Sequence, residues 1–237
     1  MIVVAIVFVA TFVRSLLGFG EALVAVPLLA FVLPVETAAP LATLVSITVA
    51  CVFLLLDWRH VHARSAALLL VPTFAGIPIG LWLLTRVDET IVKSVLAVII
   101  AAFSVYSLSG MRPWASISER AAPLFGFLAG VMGGGYGMNG PPIVVYGTLR
   151  KWHPHEFHAT LQGYFLPASA FGMAGYWTAG LWTHSVNALY VASLPAVALA
   201  IVTGRLLHRR LDARRFTRIV HAALIAIAML LLISRSA

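Results

Sequence analysis

A chain of 237 residues that is 61% hydrophobic and only 10% charged, with a mean hydropathy of +0.99, is too apolar to be a water-soluble domain. Its formal net charge of +8 comes from basic residues set between apolar stretches and not from a stripe on a polar domain, so it excludes nucleic-acid binding and reports membrane topology instead. The single Cys51 lies inside an apolar run, which rules out an intrachain disulfide and leaves packing as its expected role.

About 20 residues are needed for a helix to cross a bilayer, and on that measure the chain divides into eight apolar elements. The first covers 2–33 and is broken near 18–20. Its opening stretch, Ile2 to Val13, is followed and not preceded by the first basic residue, Arg14; this is the reverse of a secretory signal, so the segment is expected to be retained. Next come 36–56, 64–84 and 89–108. A link over 109–120, beginning Ser109-Gly110-Met111-Arg112-Pro113-Trp114, has little periodicity. The pattern then restarts with 120–149, broken across Gly133 to Pro142, and continues with 156–179, 185–204 and 214–233.

The restart is an internal repeat. A shift of 115 positions lays Gly18-Phe19-Gly20 on Gly133-Gly134-Gly135 and Pro27 on Pro142 without a gap. The expected organisation is one all-α integral membrane domain of two repeats, 1–110 and 118–237. Lys and Arg mark cytoplasmic loops. The segment Arg205 to Arg215 therefore lies inside and the turn Gly180 to His184 outside. Counting back puts Arg150, Lys151, Arg112 and Arg120 inside, so the second broken element is expected to enter and leave on one side as a re-entrant hairpin; the alternative, in which each broken element crosses as one kinked helix, would put Arg150 and Lys151 on the wrong side. Arg59 and Arg64 are inside in the first half, which inverts that half relative to the second. Twelve of the sixteen Lys and Arg residues then lie inside, three outside and Arg14 at membrane depth, with both termini outside. The expected fold is two inverted repeats, each a re-entrant broken-helix hairpin plus three transmembrane helices.

The stretch Leu17-Gly18-Phe19-Gly20-Glu21-Ala22-Leu23-Val24-Ala25-Val26-Pro27-Leu28-Leu29 and its partner Gly126-Phe127-Leu128-Ala129-Gly130-Val131-Met132-Gly133-Gly134-Gly135 resemble the paired glycine-rich signatures of the TauE/SafE family of anion permeases. In length, segment number and duplication the resemblance covers nearly the whole chain. It implies a multi-pass protein of the cell inner membrane that moves sulfite or a sulfonate, sulfoacetate among them. The first motif departs from the fuller triple-glycine form at Phe19 and Glu21.

The residues point to an anion on their own chemistry. A break at membrane depth leaves backbone N–H groups unpaired; an oxyanion accepts several at once, and a helix N-terminus adds a partial charge of about +0.5. Two breaks facing each other would form one cage from Gly18, Gly20, Glu21, Gly133, Gly134, Gly135, Tyr136 and Asn139. The competing reading is that these glycines only let helices pack closely. Arg14 and Glu21 are ionisable residues at depth, where each needs a partner or a water-filled cavity. Arg14 is expected to offset the anion's charge, against a structural ion pair or a snorkelling role, and Glu21 to carry a proton during transport. Ser46, Thr48, Gln162 and Tyr164 are further candidates, on helices that the 115-residue shift sets on opposite sides of the same cavity.

The remaining signals are weaker. The cluster His153, His155, Glu156 and His158 matches no metal-ligand spacing, so no metal and no cofactor is expected. His221 reads as a packing residue, and Trp58, Trp114, Trp152 and Trp182 as an interfacial belt. There is no Gly-x-Ser-x-Gly elbow, His-Glu-x-x-His helix or phosphate-binding loop. The expected function is therefore a secondary transporter of a small sulfur oxyanion or organosulfonate, working by alternating access. A membrane-embedded structural or assembly subunit and an intramembrane enzyme are the alternatives. The expected partners are the anion and the lipid bilayer, with no nucleic acid, and a homo-oligomer is compatible with the sequence.

Overall fold

A computed structural model describes residues 1–57, 63–110, 117–152, 154–208 and 212–233. Among the described residues the chain is helical throughout and has no strand. The first half holds α1 (Ile2–Leu17), α2 (Glu21–Leu29), α3 (Val35–Asp57), α4 (Ala63–Arg86) and α5 (Glu89–Leu108). The second opens with a 3-10 turn at Glu119–Ala121 and continues with α6 (Ala122–Tyr136), α7 (Gly140–Leu149), α8 (Pro154–Thr178), α9 (His184–His208) and α10 (Ala213–Ile233). Both halves run short, short, long, long, long.

Five helices, α3, α4, α5, α9 and α10, are long and apolar enough to cross a membrane. The 25-residue α8 is as long but less apolar, because it turns Thr160, Gln162 and Ser169 into the interior. At 1.5 Å per residue α1 and α6 reach only about 24 and 22 Å, short of the ~30 Å hydrocarbon thickness. Each stops at a left-handed glycine, Gly18 at φ 80° and Gly137 at φ 64°. A residue with a Cβ is penalised there, and glycine is not.

The second stop corrects the sequence alignment. Gly133, Gly134 and Gly135 lie in the last turn of α6, and the chain leaves the helix only at Gly137 to Asn139. Element ends therefore correspond at a displacement of 119 and not 115: Gly18 with Gly137, Glu21 with Gly140, and Val35 with Pro154.

Packing crosses between the halves. The long helix α4 lies along α6 and α9 along α1, α3 packs on α8, and α5 packs on α10. The α4–α6 seam is built on glycine. A Cβ on Gly126, Gly130 or Gly134 would run into the carbonyls of Leu69, Thr73 or Ile77, and one on Gly76 or Gly80 would strike the α6 backbone. Hydrophobic burial gives no drive between helices in lipid, so close backbone approach through small residues takes its place. On α9, Gly204 likewise leaves room for Ser15 of α1. Outward-facing Leu55, Val71, Val98, Trp177, Leu199 and Ile219 give the exterior an apolar coat.

Candidate functional site

At the first break the chain doubles back. In a straight helix Thr11 and Glu21 would stand about 15 Å apart along the axis, yet the Thr11 hydroxyl donates to Glu21 Oε1 at 2.9 Å. Gly18 and Gly20, both with positive φ, make the reversal, and α2 starts afresh at Glu21. Glu21 Oε2 is thereby brought to 2.6 Å from Arg14 Nη1, with both side chains 2% exposed. Among the described residues these are the only Lys, Arg, Asp or Glu side chains in the buried set.

The guanidinium is held from three more directions. Nη1 also donates to Ser46 Oγ at 2.7 Å and Ser46 O at 3.3 Å, and Nη2 donates to Gln162 Oε1 at 2.7 Å. The Phe165 ring lies 5.3 Å from the guanidinium carbon, within cation–π range. Gln162 Nε2 donates to Gly18 O at 2.7 Å, closing the carbonyl end of α1. The Arg14 Nε–H is buried without a partner.

The second break faces the same space. A cavity of about 400 Å³, counting its open mouth, is bordered by Arg14, Gly20, Glu21 and Ser46 on one side and by Gly137, Asn139 and Gly140 on the other, with Phe165 and Ser169 of α8 and Phe103 of α5 in its walls. The N-terminal ends of α2 and α7 both open onto it. They are unequal as donors. The first turn of α2 carries an N–H on every residue, whereas α7 begins Gly140-Pro141-Pro142, and two of those three have none. The partial positive charge of a helix N-terminus remains at both ends.

The family described as Sulfite exporter TauE/SafE matches the chain over residues 3–231. The chain belongs to the TauE/SafE family. No curated protein and no solved structure matches it. The TauE/SafE match reaches every helix from α1 to α10, and with the five long apolar helices it makes this a multi-pass membrane protein of a transport family.

Within this TauE/SafE protein the expected site residues fall into two groups. Arg14, Gly20, Glu21, Ser46 and Asn139 border the cavity, and Gln162 and Gly18 are joined to it through Arg14. Gly133, Gly134, Gly135, Tyr136 and Tyr164 do not border it. Gly134 faces α4, and Gly133 is covered by the Asn139 side chain. The Tyr136 hydroxyl donates to Val92 O and the Tyr164 hydroxyl bonds Thr73, while Thr48 pairs with Tyr190 at 2.6 Å. Sequence reasoning missed Thr11, Phe103, Phe165 and Ser169. Thr11 stands one turn before Arg14, and Phe165 and Ser169 follow Gln162 at helical spacing, so the face was readable once one member was placed.

No group of three or more possible metal ligands occurs among the described residues. The side chains of His153, His155, Glu156 and His158 lie outside them, as do Trp58, Arg59, Arg112, Trp114, Arg209 and Arg210. His221 is buried, edge-on to Phe103 with ring centroids 5.5 Å apart, and its Nδ1 lies 3.3 Å from Ser104 Oγ. Trp152 packs against Tyr146 and Phe157, and Trp182 donates to Asn187 at 2.6 Å.

Proposed function

We propose that this protein is a secondary transporter of a small sulfur-containing anion, sulfite or an organosulfonate, bound in the cavity between the two helix breaks and carried by alternating access. One observation carries the reading: Arg14, the only buried Lys or Arg among the described residues, borders a cavity onto which two helix N-termini also open. A fixed guanidinium, two positive helix ends and hydroxyl donors such as Ser46 suit an oxyanion, and the family's name supplies the sulfur chemistry. Arg14, Gly20, Ser46 and Asn139 contact the anion, and Glu21 carries the coupling proton.

The two halves, 1–110 and 118–237, are inverted repeats whose broken helices re-enter from opposite faces of the cell inner membrane. Their matched order of elements and reciprocal packing support that arrangement. Counterflow of labelled sulfite or isethionate in liposomes holding the purified chain tests the function. Accumulation above that of protein-free liposomes is expected. Folded, inserted protein that catalyses no exchange of either anion overturns it in favour of a structural subunit.

A further inference from the structure

Arg14, the one buried Lys or Arg among the described residues, is already paired, so an anion that binds it competes with that partner. Arg14 Nη1 is taken by Glu21 Oε2 at 2.6 Å, and no third charged side chain borders the cavity among the described residues. We infer, resting on the reading of this cavity as the transport site, that the Glu21 carboxylate is a built-in stand-in for the substrate. A singly charged sulfonate or bisulfite and the ionised Glu21 compete for Arg14, so one anion crosses with one proton and no net charge moves.

The site has four charge states. Empty with Glu21 ionised it is neutral, and loaded with Glu21 protonated it is neutral again. The other two, empty with Glu21 protonated and loaded with Glu21 ionised, leave one net charge at membrane depth, which disfavours each by about a hundredfold. Only the neutral states cross between the inward-open and outward-open forms in quantity. In the exchange a proton adds to a Glu21 carboxylate oxygen, the contact to Arg14 opens, and a substrate oxygen takes its place at Nη1; release reverses these steps, and no covalent bond to the anion forms.

The surroundings fit this exchange. When Glu21 lets go, Ser46 and Gln162 still hold the guanidinium, so the cation stays at the cavity wall. The unpartnered Nε–H is a spare donor for a second substrate oxygen. Protonated Glu21 keeps Thr11 as a partner. The helices packed on α2 bring up little competing charge. On α1 the neighbours are Arg14 and Thr11. Glu36 of α3 is exposed, Glu89 and Lys93 of α5 pair with each other at 3.1 Å, and Tyr146 of α7 does not border the cavity. On α10, Arg215 and Arg218 are exposed and His221 stands against Phe103.

Isethionate is the decisive probe, because a sulfonate does not titrate near neutral pH and any accompanying proton must be carried by the protein. With the full chain in liposomes, an internal pH dye and a membrane electrode, acid outside should drive isethionate inward with about one proton per anion and no current. Sulfoacetate with its carboxylate ionised brings a second charge and should move at least tenfold more slowly. Glu21→Gln should lose pH-driven accumulation of isethionate at least tenfold more than it loses isethionate-for-isethionate exchange. A current with isethionate, accumulation indifferent to the pH gradient, sulfoacetate carried as fast as isethionate, or a Glu21→Gln protein still driven by pH would each overturn the inference while leaving transport itself standing. Absence of flux for every anion tested would overturn both. The wild-type current decides the matter even where the variant fails to insert.

Discussion

Gln162 holds Arg14 and Gly18 at once, accepting from the Arg14 guanidinium and donating to the Gly18 carbonyl at 2.7 Å each, across 148 and 144 positions of sequence. Arginine only donates and a carbonyl only accepts, so an amide satisfies both, while a carboxylate or a hydrocarbon cannot.

Gln162→Leu removes a hydrogen bond to a charged group, worth about 1.5–3 kcal/mol, and leaves the guanidinium looser at the cavity wall. The expected result is a rise of about tenfold or more in the KM for isethionate. Tyr164→Phe on the same helix removes only the bond to Thr73, whose one hydroxyl proton is still shared between the carbonyls of Leu69 and Gly126. It should cost about 1 kcal/mol of stability and leave KM within about twofold. Initial-rate flux assays on both variants check the contrast.

The two glycine runs should respond differently to alanine. At Gly20 a Cβ meets nothing closer than Val13 at 4.0 Å, but φ is +95°, so Gly20→Ala costs about 1–2 kcal/mol of backbone strain. That protein should insert and transport poorly. Gly134→Ala drives a methyl group into the α4 backbone at Ile77, an overpacking cost of about 3 kcal/mol or more. Its loss should appear in the yield of folded protein and in thermal unfolding in detergent.

Arg14→Ala leaves Glu21 buried without its cation, at a cost of about 3–5 kcal/mol. Arg14→Ala with Glu21→Ala removes both charges and should recover more than 1 kcal/mol of that loss. A double-mutant cycle read from detergent unfolding measures the coupling. Additive losses would show that the pair contributes nothing to the fold.

Because loading takes up one proton, acid must favour binding. Over the range where the empty pair is ionised, the apparent affinity for isethionate should tighten about tenfold for each unit fall in pH, then level off once Glu21 is protonated in the empty site. In Glu21→Gln the profile should be flat. Equilibrium binding across a pH series, with the non-titrating sulfonate as ligand, gives the slope directly.

The inverted arrangement predicts opposite accessibility for the two ends of α9. With Cys51 replaced by Ser, a cysteine at Thr183 should react with an impermeant maleimide added to intact cells, and one at Arg205 only after permeabilisation. The reverse pattern would turn the whole topology over.

Composition and period made the membrane character, the element count and the two breaks legible, because apolar runs interrupted by glycine have few other readings. The ion pair was half legible. Arg14 and Glu21 stood out as charges in an apolar stretch, but a linear helix separates them by about 10 Å, and only the reversal at Gly18 and Gly20 joins them. The second break falls inside the expected span, but the pairing of the halves was set four residues short because Gly133, Gly134 and Gly135 imitate the first motif, whereas glycine in α6 serves the contact with α4. Nothing in one sequence separates a glycine that turns the chain from one that admits a neighbour, since the neighbour lies more than fifty positions away. Gln162 was found for its polarity, and its bridging role depends on two partners that only the folded chain supplies.

The crossed packing of α4 on α6 and α9 on α1 has a further consequence for how this polypeptide can be divided. Cutting it between 110 and 117 would leave the N-terminal fragment with α4 stripped of its glycine seam and α1 without α9, and the C-terminal fragment with the complementary bare faces. Neither piece retains the surface that shields its own backbone-close stripe from lipid. The two fragments are expected to behave as an obligate heterodimer written in a single chain: produced together they should reassemble, and produced apart each would be left with an unfilled groove shaped for the other.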